Sequence, residues 1–106
     1  MLDEFETKCP DAYLEERAQK LKAVGHPIRL KLLCIIARGS DSCVSDLWRC
    51  LNQPQPVISQ HLSILKENGI VDAEVQKTKR VYSIIDPFTK DLVQAVLDGI
   101  DKEERS

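Results

Sequence analysis

Gln55-Pro56-Val57-Ile58-Ser59-Gln60-His61-Leu62-Ser63-Ile64-Leu65-Lys66 separates into two faces on a helical wheel of about 100° per residue. Ile58, Leu62 and Leu65 gather on one side, with Val57 and Ile64 at its edge. Pro56, Ser59, Gln60, Ser63 and Lys66 gather on the other, and Gln55 opens the helix beside them. The first face is suited to packing, while the second carries small polar groups and one cation. Gln and Ser hydrogen-bond base edges or phosphates, and short side chains let a helix approach a duplex closely, as a helix in the major groove must. A plain solvated face has a similar composition, so the flanking segments have to discriminate. His61 lies at the edge of the apolar stripe and reads as a structural histidine bonded to backbone.

Upstream, Val44 to Leu51 reads as a short helix with Val44, Leu47, Trp48 and Leu51 inward. It is joined to the first segment by the tight connection Asn52-Gln53-Pro54-Gln55-Pro56. Before it, residues 27–38 contain Ile28, Leu30, Leu32, Leu33, Cys34, Ile35 and Ile36, apolar almost all round, so this helix belongs at the centre of the core. Pro27 suits its first turn and Gly39 ends it. Asp11 can cap an earlier helix to about Val24, on which Leu14, Ala18 and Leu21 form one stripe. Downstream, the reading helix ends near Asn68 with Gly69 as its left-handed C′ residue. The hydrophobic period then changes to 2: Val71 to Gln76 and Arg80 to Ile85 read as strands joined around Lys77-Thr78-Lys79. Asp86-Pro87 starts a last helix to about Ile100, with Phe88, Leu92, Val93, Val96, Leu97 and Ile100 as its apolar positions.

The order is therefore four helices, a hairpin and a fifth helix: a mostly α fold with a β-hairpin wing, a winged helix-turn-helix. The boundaries expected are an acidic arm over 1–10, a domain over 11–100 and a charged tail over 101–106. The hairpin tip offers Lys77, Lys79 and Arg80, which can reach flanking backbone and release counterions. Lysines on an edge hairpin also guard against aggregation, but here the tip follows the reading helix directly.

Composition agrees with one DNA-binding domain. The 106 residues are 42% hydrophobic and 30% charged, a single globular unit. Net charge is −2, yet from Arg17 to Ser83 eleven Lys/Arg stand against five Asp/Glu, so the middle carries +6 and the ends hold the acid. A local basic field, not the total, steers a polyanion. No stretch approaches the roughly 18 apolar residues of a membrane span, and the acidic N-terminus lacks a signal-peptide layout; a cytoplasmic protein is expected. His26 and His61 have no Ser or Cys motif beside them and no glycine-rich phosphate loop exists, so no catalytic residue is assigned. The rival non-enzymatic reading is a protein-binding winged helix without DNA affinity, which salt dependence separates from a DNA reader.

Several segments resemble the ArsR-type bacterial repressors. Leu21-Lys22-Ala23-Val24-Gly25-His26-Pro27-Ile28-Arg29-Leu30-Lys31-Leu32-Leu33 is similar to their L-K-A-L-x-x-P-x-R-L-x-I-L opening. Cys43-Val44-Ser45-Asp46-Leu47 resembles their C-V-C-D-L segment, and residues 55–65 resemble their Q-P-x-V-S-x-H-L-x-x-L recognition helix. Asn68-Gly69-Ile70-Val71 and Val81-Tyr82-Ser83-Ile84 match the turn and the second wing strand. The likeness spans about residues 12–100. It implies a homodimeric repressor of double-stranded DNA, paired through the first and last helices. Leu14, Ala18 and Leu21, together with Phe88, Leu92, Val93, Val96, Leu97 and Ile100, would then supply that interface. A two-fold dimer reads a pseudo-palindrome with half-sites roughly 34–36 Å apart or a multiple.

The family's sensor types are each incomplete here. The zinc type takes Asp and His from the last helix; Asp86 and Asp91 are present, but no histidine is. The thiolate type pairs two cysteines in C-V-C; here Cys43 is followed by Ser45, and Cys50 is about 10.5 Å of helical rise beyond it. The redox type pairs a second-helix cysteine, matched by Cys34, with one in the last helix, which has none. The preferred reading is a thiol switch using Cys9, Cys34 or Cys43, reacting with an oxidant, a reactive sulfur species or a thiophilic metal or metalloid. Its rival is a regulator with no cysteine or metal sensor. No cofactor is assigned.

Overall fold

The computed structural model of the chain describes residues 8–39 and 44–105, apart from the side chains of residues 44–46, 48 and 105. Its elements are α1 (Asp11–Val24), α2 (Pro27–Arg38), α3 (Val44–Leu51), α4 (Gln55–Glu67), β1 (Val71–Gln76), β2 (Lys79–Ile84) and α5 (Pro87–Arg105). The two strands form one antiparallel hairpin, and the order is that of a winged helix.

The core is assembled around α2. Leu32, Leu33 and Ile36 are buried there, with Ile28, Leu30, Cys34 and Ile35 partly buried against the same cluster. Leu47 of α3, Ile58, Leu62 and Leu65 of α4, and Ile70, Val71, Tyr82 and Ile84 of the hairpin close over it. Val93 and Leu97 correct the expected subunit interface. At 1% and 6% exposure they are core residues of the single chain. They lie on the side of α5 that faces inward, while Phe88, Leu92 and Val96 flank them half-buried.

Three boundaries differ from expectation. Pro10, not Asp11, is the N-cap residue of α1, with no side-chain cap bond. Asp11 stands in the first turn, where the helix dipole favours its charge. β2 starts at Lys79 and ends at Ile84, because the turn needs only Lys77 and Thr78. α5 runs to Arg105, so 101–105 continues the helix instead of forming a separate tail. Lys102, Glu103 and Glu104 are good helix formers, and Asp101 accepts a 2.7 Å bond from Arg38 at the end of α2.

The radius of gyration is 16.1 Å, against about 13 Å for a compact chain of this length. The chain is elongated, 54 × 38 × 22 Å.

Candidate nucleic-acid interface

The surface of α4 is set by both of its ends. At its start, Asn52 takes a left-handed φ of 53°, which Asn tolerates, and turns the chain out of α3. Pro56 falls in the first turn of α4, where the missing N–H has no helical partner to lose. At its end, Gly69 has φ 70°. Gly69 N donates to Lys66 O at 3.0 Å and Ile70 N to Leu65 O at 3.0 Å, a Schellman closure with Ile70 buried beneath it.

Between those ends the wheel holds. Ile58, Leu62 and Leu65 are buried, and Gln55, Pro56, Ser59, Gln60, Ser63 and Lys66 are exposed together. The wing is bolted to the same end: Ile85 N donates to Ile70 O at 2.9 Å, closing the hairpin base directly after the helix stop. Val71, Tyr82 and Ile84 anchor that base in the core, while from Glu74 to Arg80 every side chain is exposed. Gln76 pairs with Lys79 and Lys77 has φ 60°, so the projecting tip presents Lys77, Lys79 and Arg80. Polar helix face and basic tip are thus held by one rigid joint.

His61 departs from expectation. It is half-buried, but its buried Nδ1 has no hydrogen-bond partner among the described residues. Its ring instead packs on His26, centroids 4.6 Å apart. His26 is the N-cap of α2, its Nδ1 accepting from Ile28 N at 3.1 Å. Burial, then the neighbouring His26 and Arg29, hold the His61 imidazole below its ordinary pKa. Sequence reasoning missed the His26 cap, although a polar residue directly before Pro27 is the available signal.

A second surface lies on α1 and α5. Leu14 and Leu21 are 42% and 47% exposed, Ala18 is exposed between them, and Ile100 is 38% exposed. Arg17 joins the two helices: its guanidinium carbon is 4.5 Å from the Tyr13 ring centroid and 4.9 Å from that of Phe88. Lys20 of α1 pairs with the buried Asp86, whose Oδ2 accepts from Thr89 N at 2.9 Å and Thr89 Oγ1 at 2.7 Å, capping α5. Burial pushes the Asp86 carboxyl up, but the bonds from Lys20 and Thr89 outweigh it, and its pKa is lowered. The sequence places Asp86 at the start of the last helix but shows neither its pairing with Lys20 nor the contacts of Arg17.

Cys9 is exposed and Cys34 half-buried, both as free thiols; Cys50 is also free and exposed. Burial, partly offset by Arg38, raises the Cys34 pKa. Cys43 and the arm residues 1–7 lie outside the described residues, as do the side chains of Val44, Ser45 and Trp48. Among the described residues no three His, Cys, Asp or Glu side chains converge as a metal site. No helix among them is long and apolar enough to cross a membrane.

Residues 26–73 match the family described as "Bacterial regulatory protein, arsR family". An uncharacterized HTH-type transcriptional regulator of Methanocaldococcus jannaschii is 40% identical over 82 residues, 77% of this chain and 92% of that one. The structure of the transcriptional repressor BigR from Xylella fastidiosa is 30% identical, with a TM-score of 0.74 over 85% of this chain and 91% of that one. A homodimeric winged helix-turn-helix DNA-binding domain from Mycobacterium bovis, a possible ArsR-family regulator, shares the fold. It is 24% identical, with a TM-score of 0.74 over 96% of this chain and 90% of that one.

Proposed function

The chain belongs to the arsR family of bacterial regulatory proteins, and on that premise we propose that it is a repressor that binds a pseudo-palindromic operator as a homodimer. The observation that carries this reading is the exposed polar face of α4 fixed beside a basic wing tip. Gln55, Pro56, Ser59, Gln60 and Ser63 lie in the major groove, Gln60 and Ser59 reading base edges and Lys66 contacting phosphate. Lys77, Lys79 and Arg80 follow the flanking backbone. Two copies pair through Leu14, Ala18 and Leu21 with Phe88, Leu92, Val96 and Ile100. An exposed stripe of this kind on an elongated chain supports that pairing. The repressor named above and the homodimer named above lend it further support.

The test is selection of duplexes from a random pool, followed by anisotropy titrations at several salt concentrations. Lys66→Ala weakens binding to every duplex and lowers the log–log salt slope by about one. Gln60→Ala costs about 1–3 kcal/mol at one base pair and relaxes preference there. If Gln60→Ala and Ser59→Ala both leave the selected sequence unchanged, α4 does not read the groove.

The release step belongs to a thiol-reactive inducer: an oxidant, a reactive sulfur species or a thiophilic metalloid acting on Cys9, Cys34 or Cys43. Exposed Cys9 is open to reagents. Modification of Cys34 would add bulk beside the core of α2, although its raised pKa slows its reaction at neutral pH. Release of bound duplex is measured under arsenite, zinc, peroxide and persulfide with each Cys→Ser variant. At least one variant loses the response; four variants that respond like the parent leave a regulator without a cysteine sensor.

A further inference from the structure

Where α1, α2 and α4 meet, Gln19, Lys22, Ala23, Arg29, Ile64 and Asn68 line a pocket of about 180 Å³. Drug-sized ligands need about 300–1,000 Å³; this one suits a small ion with its waters. Its polar lining is two cations and two amides, with no carboxylate. Among the described residues neither Lys22 nor Arg29 has an ion-pair partner. Arg29 Nε is buried and unpartnered. On the α4 side of the pocket, Asn68 Nδ2 donates to Ile64 O at 2.8 Å. A buried donor left without an acceptor calls for a physical explanation, and a water or ion in the adjoining pocket is one.

The field at the junction has the matching sign. Arg29 stands in the first turn of α2, which carries no acidic residue, so the positive helix end adds to its charge. His61 on α4 has a lowered pKa, due first to burial and then to His26 and Arg29. At about 100° per residue, Gln19 and Ala23 lie on a different flank of α1 from Leu14, Ala18 and Leu21, while Lys22 stands one turn beyond Ala18 at the border of that stripe.

We propose that this pocket binds a phosphate-class oxyanion, held by Lys22 and the guanidinium of Arg29 with Gln19 and Asn68 at its rim. The phosphate comes either from the backbone of a duplex lying along α4 or from a free phosphorylated small molecule. The site stands without the groove reading, because inorganic phosphate is sufficient to probe it.

The full chain is titrated with inorganic phosphate at constant ionic strength, with chloride as control, and followed by NMR of its amides and of the His61 ring. Phosphate shifts amides near residues 19–29 and 64–68 and raises the His61 pKa. Arg29→Gln and Lys22→Gln each lose most of that response. In parallel, salt slopes of duplex binding are compared. If a backbone phosphate fills the pocket, each variant lowers the slope by about one. If a free phosphate fills it, the variants lose the phosphate response while their slopes match the parent. Should Arg29→Gln fail to fold by circular dichroism, the exposed Lys22→Gln carries the test. A phosphate response and a salt slope both equal to the parent's in the folded variants overturn the proposal. A chain that binds no duplex yet responds to phosphate through Arg29 refutes the operator reading and leaves this site standing.

Discussion

At the scale of single residues, the burial of His61 against α2 sets a pH dependence. The folded pKa of His61 is lowered, so on acidification the unfolded chain takes up its proton first, near the ordinary value of about 6.5. The stability that neutral His61 contributes is therefore present above about pH 6.5 and lost as pH falls through the lowered folded value. Urea midpoints measured at stepped pH should fall between about pH 7 and 5, and His61→Gln should flatten that limb. An equal slope in the variant would mean the limb has another source. Asp86, whose folded pKa is also lowered, produces a separate loss only below about pH 4. The sequence marked His61 as an edge position of α4 correctly. It did not reveal the unpartnered Nδ1, because His26 meets it only when α2 packs on α4.

Among the elements, α5 depends most on a single polar group. Asp86 supplies its N-cap and ties it to Lys20 of α1. Asp86→Ala removes the bonds to Thr89 N and Oγ1, costing about 1–2 kcal/mol for the cap, and also leaves the fully buried Thr89 hydroxyl without its acceptor. Asp86→Asn keeps a capping oxygen but not the charge opposite Lys20, so its denaturation midpoint should lie between those of the parent and the alanine variant. If both variants match the parent, the cap does not hold α5. Element identity was legible because periods of 3.6 and 2 alternate cleanly and Pro27, Gly39 and Gly69 punctuate them. The end of α5 was not, because nothing after Gly99 breaks a helix and the Arg38–Asp101 pair is a tertiary contact.

For the whole molecule, the division between core and partner surface governs the outcome. Leu21→Glu places a charge on the exposed α1 stripe; sedimentation should register monomers, operator affinity should drop, and the fold of the chain should persist. Val93→Ala empties space in the single-chain core instead and lowers stability by on the order of 2 kcal/mol. A dimer that survives Leu21→Glu would remove α1 from the interface. The sequence alone determined the element order, the two-faced helix of residues 55–67 and the basic hairpin tip, since each follows from local periodicity, turn residues and side-chain chemistry. Only the tertiary structure decided that Val93 and Leu97 face inward while Leu14 and Leu21 do not, and that Lys22 and Arg29 border one pocket without a carboxylate. The physical reason is that periodicity yields an apolar or polar stripe on one helix. Which neighbour covers that stripe depends on how helices distant in sequence cross, and no spacing within one helix encodes that crossing.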